Sequence, residues 1–332
     1  MSATAMTGNV YLNAYLAPLA PWLMRPDVTD LLINKPGEVW IETAGGGMKR
    51  ELAPDLTEQA LQRLARQIAA ASSQGVNREQ PLLSATLPDG ARVQIVAPPA
   101  TRKSLAMAVR KHMLSDLTMN DLGRDGLFEA AHRTDAARQA AADAELTALL
   151  DAGDLIPFLR EAVKRRKTIV ISGGTGTGKT TLLNALVKEI DHGERLVVIE
   201  DAPEVRLDHP NSVGLVAVRG ELGEAKVDAD SLLAAALRLR PDRILLGELR
   251  GKEAFAFLRA VNSGHPGSLT TVHADTPAGA LDQIALLALT SGVDLGWDKV
   301  KTYVSRVIDV VVQLERVDGA RRVTEVLFSP GG

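Results

Sequence analysis

Apolar and polar positions in the first third of the chain alternate in short runs and then follow a helical period. The alternating runs predict four strands, which are 30–34, 38–42, 92–96 and 104–110. Between them, Leu61, Leu64 and Ile68 recur on one face of a predicted helix over 57–71, for which Thr57 is a suitable N-cap. Strands and a helix in this order predict a mixed α+β domain.

The pattern changes at about residue 122. Residues 122–151 are rich in alanine, aspartate and arginine and show little apolar periodicity, which is typical of a linker with helical content. From residue 154 onward, apolar strands alternate with helices, as in a parallel sheet covered on both faces. We therefore expect an N-terminal α+β domain at 1–121, a linker at 122–153 and an α/β domain at 154–332.

The strands predicted in the α/β domain are 168–172, 195–200, 243–247, 269–272 and a final pair, 308–316 and 320–328. The final pair flanks Asp318-Gly319, a dipeptide that favours a tight hairpin turn. This hairpin is expected to extend the edge of the sheet.

The strand at 168–172 runs into a glycine-rich turn that matches the spacing of a phosphate-binding loop. The predicted nucleotide-binding residues are Gly173, Gly174, Thr175, Gly176, Thr177, Gly178, Lys179, Thr180 and Thr181. Lys179 is expected to reach the β- and γ-phosphates, and the Thr180 hydroxyl to be a magnesium ligand. A chance glycine-rich turn is the alternative, but an apolar strand before the turn and a helix after it favour a nucleoside triphosphate site.

Acidic residues follow two other predicted strands. Glu248 comes after 243–247, while Glu200 and Asp201 end 195–200, with Glu204 close behind. Ligands of open parallel sheets bind beyond the carboxyl ends of the strands, so these carboxylates are expected beside the nucleotide. Glu248 would orient the attacking water, accept its proton or hold a magnesium-bound water. One such carboxylate alone could equally be a helix cap or a solvated side chain, whereas their joint placement favours a site.

Two histidines, His265 and His273, flank the short predicted strand at 269–272. A zinc site would need further ligands, and a purely structural role is the other alternative. We favour a role in sensing the γ-phosphate by hydrogen bonding.

The composition limits the classes of function. A length of 332 residues suggests two domains, and the net charge of −3 with 3% aromatic residues gives no sign of direct nucleic-acid binding. The chain contains no cysteine, which excludes thiol chemistry and fits a reducing cytoplasm. No stretch reaches the roughly 20 apolar residues that span a bilayer, and no early positive charge precedes an apolar stretch. We expect at most peripheral membrane contact.

Four ordered segments resemble those of one family, the secretion ATPase superfamily: 173–181, the acidic segment 199–204, 237–251, and the histidine segment 264–274. Within it, the chain is most similar to the hexameric traffic ATPases of bacterial type IV secretion and conjugation. The resemblance implies a RecA-like C-terminal domain behind a smaller α+β domain, and a homohexamer of two stacked rings. It also implies ATP and Mg²⁺ as cofactors, with inner-membrane components of a type IV secretion system as partners.

The resemblance carries roles onto residues of this chain. Glu248 corresponds to the atypical Walker B glutamate, 200–204 to the acidic box, and His265 and His273 to the histidine box. Arginines of the N-terminal domain complete such sites, and the candidates here are Arg92 and Arg110, each on a strand face opposite the apolar one. Arg250 and Arg238 fall inside a matched segment and are candidates for contacts across a subunit boundary.

The leading interpretation is a cytoplasmic ATP-driven motor, peripheral at the inner membrane, whose N-terminal domain rocks against the ATPase domain. A pilus retraction motor of the same superfamily is one alternative. Pilus extension and type II secretion relatives generally carry a four-cysteine zinc element, which this chain lacks. A nucleotide-gated scaffold with little turnover and a direct DNA translocase are alternatives from other classes.

Overall fold

A computed structural model describes residues 12, 14–111, 118–124, 126–131, 136–218 and 224–329. Its first part is an antiparallel sheet in the order β3-β2-β1-β6-β5-β4. The strands are β1 Val28–Ile33, β2 Gly37–Thr43, β3 Met48–Ala53, β4 Leu82–Thr86, β5 Arg92–Val96 and β6 Ala106–Arg110. A short 3-10 helix at Ala17–Leu19, helix α1 at Ala20–Leu23 and helix α2 at Glu58–Ala71 accompany the sheet.

Helix α2 covers one face of this sheet. Thr57 caps it as predicted, because its side-chain oxygen accepts the Ala60 N–H at 3.2 Å. Leu61, Leu64 and Ile68 are buried in the same apolar cluster as residues of β1, β5 and β6. The apolar stripe read from the sequence is therefore the surface that holds the helix to the sheet.

The second part is a seven-stranded sheet in the order β13-β12-β7-β11-β10-β8-β9. Its strands are β7 Ile169–Gly173, β8 Leu196–Glu200, β9 Ser212–Val216, β10 Arg243–Leu246, β11 Leu269–Val272, β12 Val310–Val317 and β13 Ala320–Phe328. All neighbours pair in parallel except β12 and β13, which form the predicted antiparallel hairpin at the sheet edge. The fold is α/β, as predicted.

The helices around the second sheet are α5 Leu155–Lys164, α6 Lys179–Val187, α7 Ala229–Ala236, α8 Glu253–Asn262, α9 Pro277–Leu289 and α10 Trp297–Val307. None of the helices in the described parts of the chain has the length and apolar character needed to cross a membrane.

The predicted linker contains two helices, α3 at Met119–Arg124 and α4 at Ala136–Asp151. The end of α4 belongs to the α/β part, because Leu146 is buried in its core and the Lys167 Nζ pairs with Asp143 Oδ1 at 2.6 Å. The sequence pattern did not predict this packing, because the apolar contacts of the helix residues that the structure describes are confined to its last two turns, where Leu149 and Leu150 pack beside Leu146.

The two sheets meet along a seam with an apolar centre. Leu32 and Trp40 of the first sheet share one buried cluster with Leu215 of the second part. Polar contacts surround it, including an Asn34–Asn211 side-chain hydrogen bond of 2.9 Å and an Arg240–Glu42 ion pair with one bond of 2.6 Å. Rocking of the N-terminal domain against the α/β domain of the same chain would have to open these contacts.

Candidate functional site

The turn between β7 and α6 forms a phosphate-binding loop with three glycines at positive φ. The φ angles are 151° at Gly173, 74° at Gly176 and 102° at Gly178. At Gly173 any side chain is excluded, because a Cβ would lie 2.4 Å from the Leu314 carbonyl oxygen of β12. Gly178 is the N-cap of α6, so the positive end of the helix dipole lies at the loop.

Lys179 is the first residue of α6, and its side chain folds back across the loop. Its Nζ donates to the carbonyl oxygens of Gly173 at 2.7 Å and Gly174 at 3.0 Å. The same nitrogen lies 3.4 Å from Nδ1 of His273, which follows β11. Burial lowers the pKa of Lys179, and the Glu248 carboxylate opposes that effect. The ammonium group therefore lies over the loop, between its carbonyl groups and the ends of the neighbouring strands.

Glu248 lies just beyond β10 between two basic groups. Its Oε1 is 3.1 Å from His273 Nε2, and its Oε2 accepts from Arg250 Nη2 at 2.7 Å. Burial alone would raise the pKa of Glu248, but the Arg250 hydrogen bond and charge, together with the charges of His273 and Lys179, lower it. Arg250 also reaches Asp201 Oδ2, at 3.4 Å. The carboxylate is thus held ionised and in a fixed direction.

The acidic segment lies next to this cluster, because it follows β8, the strand that pairs with β10. Thr180 Oγ1 donates to Glu204 Oε2 at 3.0 Å. Glu200, at the end of β8, is buried, and its Oε1 accepts the backbone N–H groups of Glu204 at 2.9 Å and Val205 at 2.8 Å. Glu200 therefore holds the backbone that carries Glu204, and Glu204 reaches the hydroxyl expected to bind magnesium.

The groups around Thr180 fit Mg²⁺. The Thr180 hydroxyl and the Glu204 carboxylate provide adjacent oxygen atoms, the ligand type that this ion prefers. Within the described ranges, no group of three or more His, Cys, Asp or Glu side chains could hold a metal ion by itself. Magnesium commonly takes one or two protein ligands and completes its shell with nucleotide phosphates and water, so this set is sufficient.

These residues line one cleft of about 480 Å³. The predicted residues among its walls are Thr175, Gly176, Gly178, Lys179, Thr180, Thr181, Glu200, Asp201, Glu204, Glu248, Arg250 and His273. Gly173, Gly174 and Thr177 shape the loop behind them, with the Thr177 hydroxyl donating to the Gly174 carbonyl oxygen at 2.9 Å. Most of the residues predicted for the site therefore come together.

Four predicted residues lie away from both this cleft and its loop. His265 precedes β11 rather than following it, and its Nδ1 lies 3.0 Å from the Pro241 carbonyl oxygen. Arg92 and Arg110 are register partners on β5 and β6, both exposed. Arg238 donates from Nη1 to Ser84 Oγ at 3.0 Å, across the seam. The two histidines thus lie at opposite ends of one strand, and the N-terminal candidates lie away from the cleft of their own chain.

Two arginines at the site were not predicted. Arg102, in the loop before β6, contacts Glu200 Oε2 and donates from Nη1 to the Val205 carbonyl oxygen at 2.7 Å. Arg321, at the start of β13, is part of the cleft wall beside Gly178. The hairpin turn predicts that Arg316 pairs with Arg321. The approach of Arg321 to the phosphate-binding loop, however, depends on the order of strands in the sheet.

A parallel sheet with a phosphate-binding loop, an ionised carboxylate at the end of a nearby strand and basic groups around both define a P-loop nucleoside triphosphatase. The family model of the type II/IV secretion system protein matches residues 13–321, and the chain belongs to this family. ATP hydrolysis, predicted from the motifs, is the activity of the secretion ATPases of this family.

Similar proteins extend over nearly the whole chain. The type IV secretion system protein VirB11 of Brucella suis is 39% identical over 328 residues, which cover 96% of this chain and 90% of the relative. The type IV secretion system protein PtlH of Bordetella pertussis is 40% identical over 342 residues, covering 100% and 99%. The crystal structure of the VirB11 ATPase from the Brucella suis type IV secretion system, in complex with sulphate, matches with a TM-score of 0.90 and 36% identity, over 99% of this chain and 97% of that one. The predicted RecA-like fold and the predicted family are confirmed.

Proposed function

We propose that this protein is the ATP-hydrolysing motor of a bacterial type IV secretion system, which drives pilus assembly or substrate transfer. It works as a homohexamer in the cytoplasm, peripherally at the inner membrane, on inner-membrane components of that system. The relatives named as type IV secretion proteins support the system. The observation that carries hydrolysis is Glu248, ionised and held between His273 and Arg250 in the cleft of the phosphate-binding loop.

In the proposed mechanism, the loop backbone and the start of α6 bind the triphosphate, and Lys179 neutralises the β- and γ-phosphates. Thr180 would hold Mg²⁺ together with the phosphates, and the ion would neutralise part of the phosphate charge. Glu248 orients the water and takes its proton as the water oxygen attacks the γ-phosphorus. The bond from phosphorus to the β–γ bridging oxygen breaks, ADP retains that oxygen, and Arg250 stabilises the charge on the transferred group.

His273 is positioned to detect the γ-phosphate. It lies between Lys179 Nζ at 3.4 Å and Glu248 Oε1 at 3.1 Å, so it contacts both a phosphate-binding cation and the proposed base. A bound γ-phosphate competes for Lys179 and changes the hydrogen bonds of the imidazole. Occupation of the cleft would thereby be transmitted to β11, the strand next to β7.

Replacement of Glu248 by glutamine tests the role of the carboxylate, because the amide keeps the size but loses the charge. We expect Glu248→Gln to lower ATP turnover by about 100-fold or more, with ATP affinity retained within a few-fold. Glu325→Gln, an exposed change on β13, is the control for loss of one negative charge. Turnover is measured by phosphate release and affinity by titration with a fluorescent ATP analogue.

Turnover of the unchanged chain, with Lys179→Ala as the variant that cannot bind the phosphates, separates the motor from a nucleotide-gated scaffold. If the protein is a motor, Lys179→Ala should lose both nucleotide binding and turnover. Turnover of the unchanged chain should require Mg²⁺ and rise with the amount of a hexamer-sized species. Unaltered turnover in Glu248→Gln would remove its proposed role. ATP binding without turnover in any oligomer would favour the scaffold.

A further inference from the structure

We infer that Arg102 is a positioning residue through which the N-terminal domain holds the acidic segment of the nucleotide site in its working geometry. The inference rests on the proposed function, because Glu200 and Glu204 serve hydrolysis only if the cleft binds ATP. Arg102 itself does not line the cleft, so it acts through Glu200.

The backbone around Arg102 is fixed to the edge of the ATPase sheet. The Arg102 N–H donates to the Gly214 carbonyl oxygen at 3.0 Å, and the Val216 N–H donates to the Ala100 carbonyl oxygen at 3.0 Å. Thr101 and Leu215 form an antiparallel bridge between them. A loop of the N-terminal domain thus pairs with β9 through one isolated bridge, and the position of this loop depends on the seam.

The side chain then crosses β9 at a residue without a side chain. A Cβ at Gly214 would lie 2.5 Å from Arg102 Cδ and 2.6 Å from its Nε, so only glycine leaves room for the crossing. Beyond Gly214 the guanidinium contacts Glu200 and the Val205 carbonyl oxygen. The passage over β9 connects the seam to the interior of the nucleotide site.

Arg102 supplies the cationic partner of Glu200, whose side chain is only 3% exposed. A buried carboxylate without a cation is costly, so loss of Arg102 favours protonation or displacement of Glu200. Glu200 Oε1 also accepts the N–H groups of Glu204 and Val205, and Glu204 reaches Thr180. A shift of Glu200 is therefore expected to loosen 204–205 and move an oxygen away from the magnesium position.

Lys103 provides the matched control. It is adjacent in sequence, carries the same charge and is exposed, and it does not line the nucleotide cleft. Effects of general charge or of a weakened loop are expected in both Arg102→Ala and Lys103→Ala, whereas loss of the Glu200 contact occurs only in the first.

The first measurement is hydrogen exchange in the full chain without nucleotide. In Arg102→Ala we expect the amides of Glu204 and Val205 to exchange about tenfold faster or more, while Lys103→Ala matches the unchanged chain. Arg102→Lys restores one cation and should recover part of the protection. Equal exchange in the Arg102→Ala and Lys103→Ala variants would overturn the inference.

The second measurement is steady-state ATP hydrolysis. We expect Arg102→Ala to lower kcat about tenfold or more and to change KM for ATP by less than about threefold, because the loop that binds the phosphates is untouched. Adding Glu200→Gln to Arg102→Ala should lower kcat little further, because both changes remove the same contact. A kcat equal to that of Lys103→Ala, or full additivity of the two changes, would contradict the inference.

Gly214→Ala keeps the test decisive if Arg102→Ala does not fold. The added methyl group displaces the Arg102 side chain without removing its charge, and faster exchange at 204–205 is again expected. Unchanged exchange in a folded Gly214→Ala variant would count against the inference. Because the exchange measurement needs no turnover, absence of ATP hydrolysis in the unchanged chain would refute the proposed function and leave the Arg102 result interpretable.

Discussion

Single residues decide how the cleft holds its nucleotide, and Arg321 is the residue whose part is least expected. Its side chain lies beside Gly178, with Cδ 3.2 Å and Nη1 3.9 Å from the position of a Cβ there. The Arg321 guanidinium makes no hydrogen bond or ion pair with the side chains or carbonyl groups of the described residues. A guanidinium that faces a phosphate site without a protein partner is well suited to bind the nucleotide.

We therefore expect Arg321→Ala to raise KM for ATP by about 3- to 10-fold while kcat changes little, because the contact is present in both the ground state and the transition state. Arg322→Ala is the control, since neighbouring residues of a strand point to opposite faces. Initial rates over a range of ATP concentrations give both constants. Equal KM values for the two variants would exclude the contact.

Lys179 and Thr180 could be predicted because their chemistry depends on local spacing, in which a turn and the helix after it fix the backbone. Arg102 could not, since its contact joins residues 98 positions apart and depends on how two sheets meet. His265 and His273 form one motif in the sequence, yet the strand between them separates their side chains.

At the scale of elements, strong apolar patterns predicted α2, β5 and the β12–β13 hairpin, whereas polar or interrupted strands were missed. The strand β3 contains Lys49, Arg50 and Glu51, and it is a strand because its backbone pairs with β2 at the sheet edge. Gly214 interrupts the apolar pattern of β9 for a reason outside the strand, the passage of Arg102. Tertiary pairing overrode local propensity in both cases.

Helix α7 gives a prediction at this scale, because its N-cap is both a hydrogen-bond acceptor and a charge. Asp228 accepts the Ser231 N–H at 2.9 Å, and Lys252 lies 2.8 Å away. We expect Asp228→Ala to lower the free energy of unfolding by about 1 kcal/mol, mostly through the cap, since an exposed ion pair contributes little. Asp228→Asn keeps an acceptor and should lose less.

The pH dependence of this effect follows from the pKa of Asp228, which burial would raise but the Lys252 and Ser231 hydrogen bonds lower to about 2, from 3.8. A carboxyl group whose pKa is lower in the folded chain than in the unfolded chain stabilises the fold at pH values above the unfolded-state pKa. This stabilisation disappears as pH falls from 3.8 toward 2. The difference between the unchanged chain and Asp228→Ala in urea unfolding should therefore shrink between pH 7 and pH 3. A difference that stays constant would remove the charge from the explanation.

At the scale of the whole molecule, the seam makes each chain one unit, so a motor stroke between its two domains carries a cost. The seam contains Arg195, a fully buried cation whose pKa burial lowers to about 9, so it is charged at neutral pH. Its Nη1 donates to Asn34 Oδ1 across the seam at 2.7 Å. No surface pattern in the sequence specified this seam, because it depends on contacts between residues far apart in the chain.

If Arg92 and Arg110 complete a nucleotide site, it belongs to another copy, because neither side chain lines the cleft of its own chain. We expect the double variant Arg92→Ala/Arg110→Ala and the variant Lys179→Ala each to abolish turnover when assembled alone. In rings that contain the two variants at 1:1, about one site in four should regain turnover. That site combines an intact loop from one subunit with intact arginines from its neighbour. The recovery is measured as phosphate release by co-expressed, separately tagged subunits. As a control, Arg63→Ala, a change at an exposed residue of α2, takes the place of the double variant. No recovery in mixed rings of confirmed composition would mean that these arginines do not complete a neighbour's site.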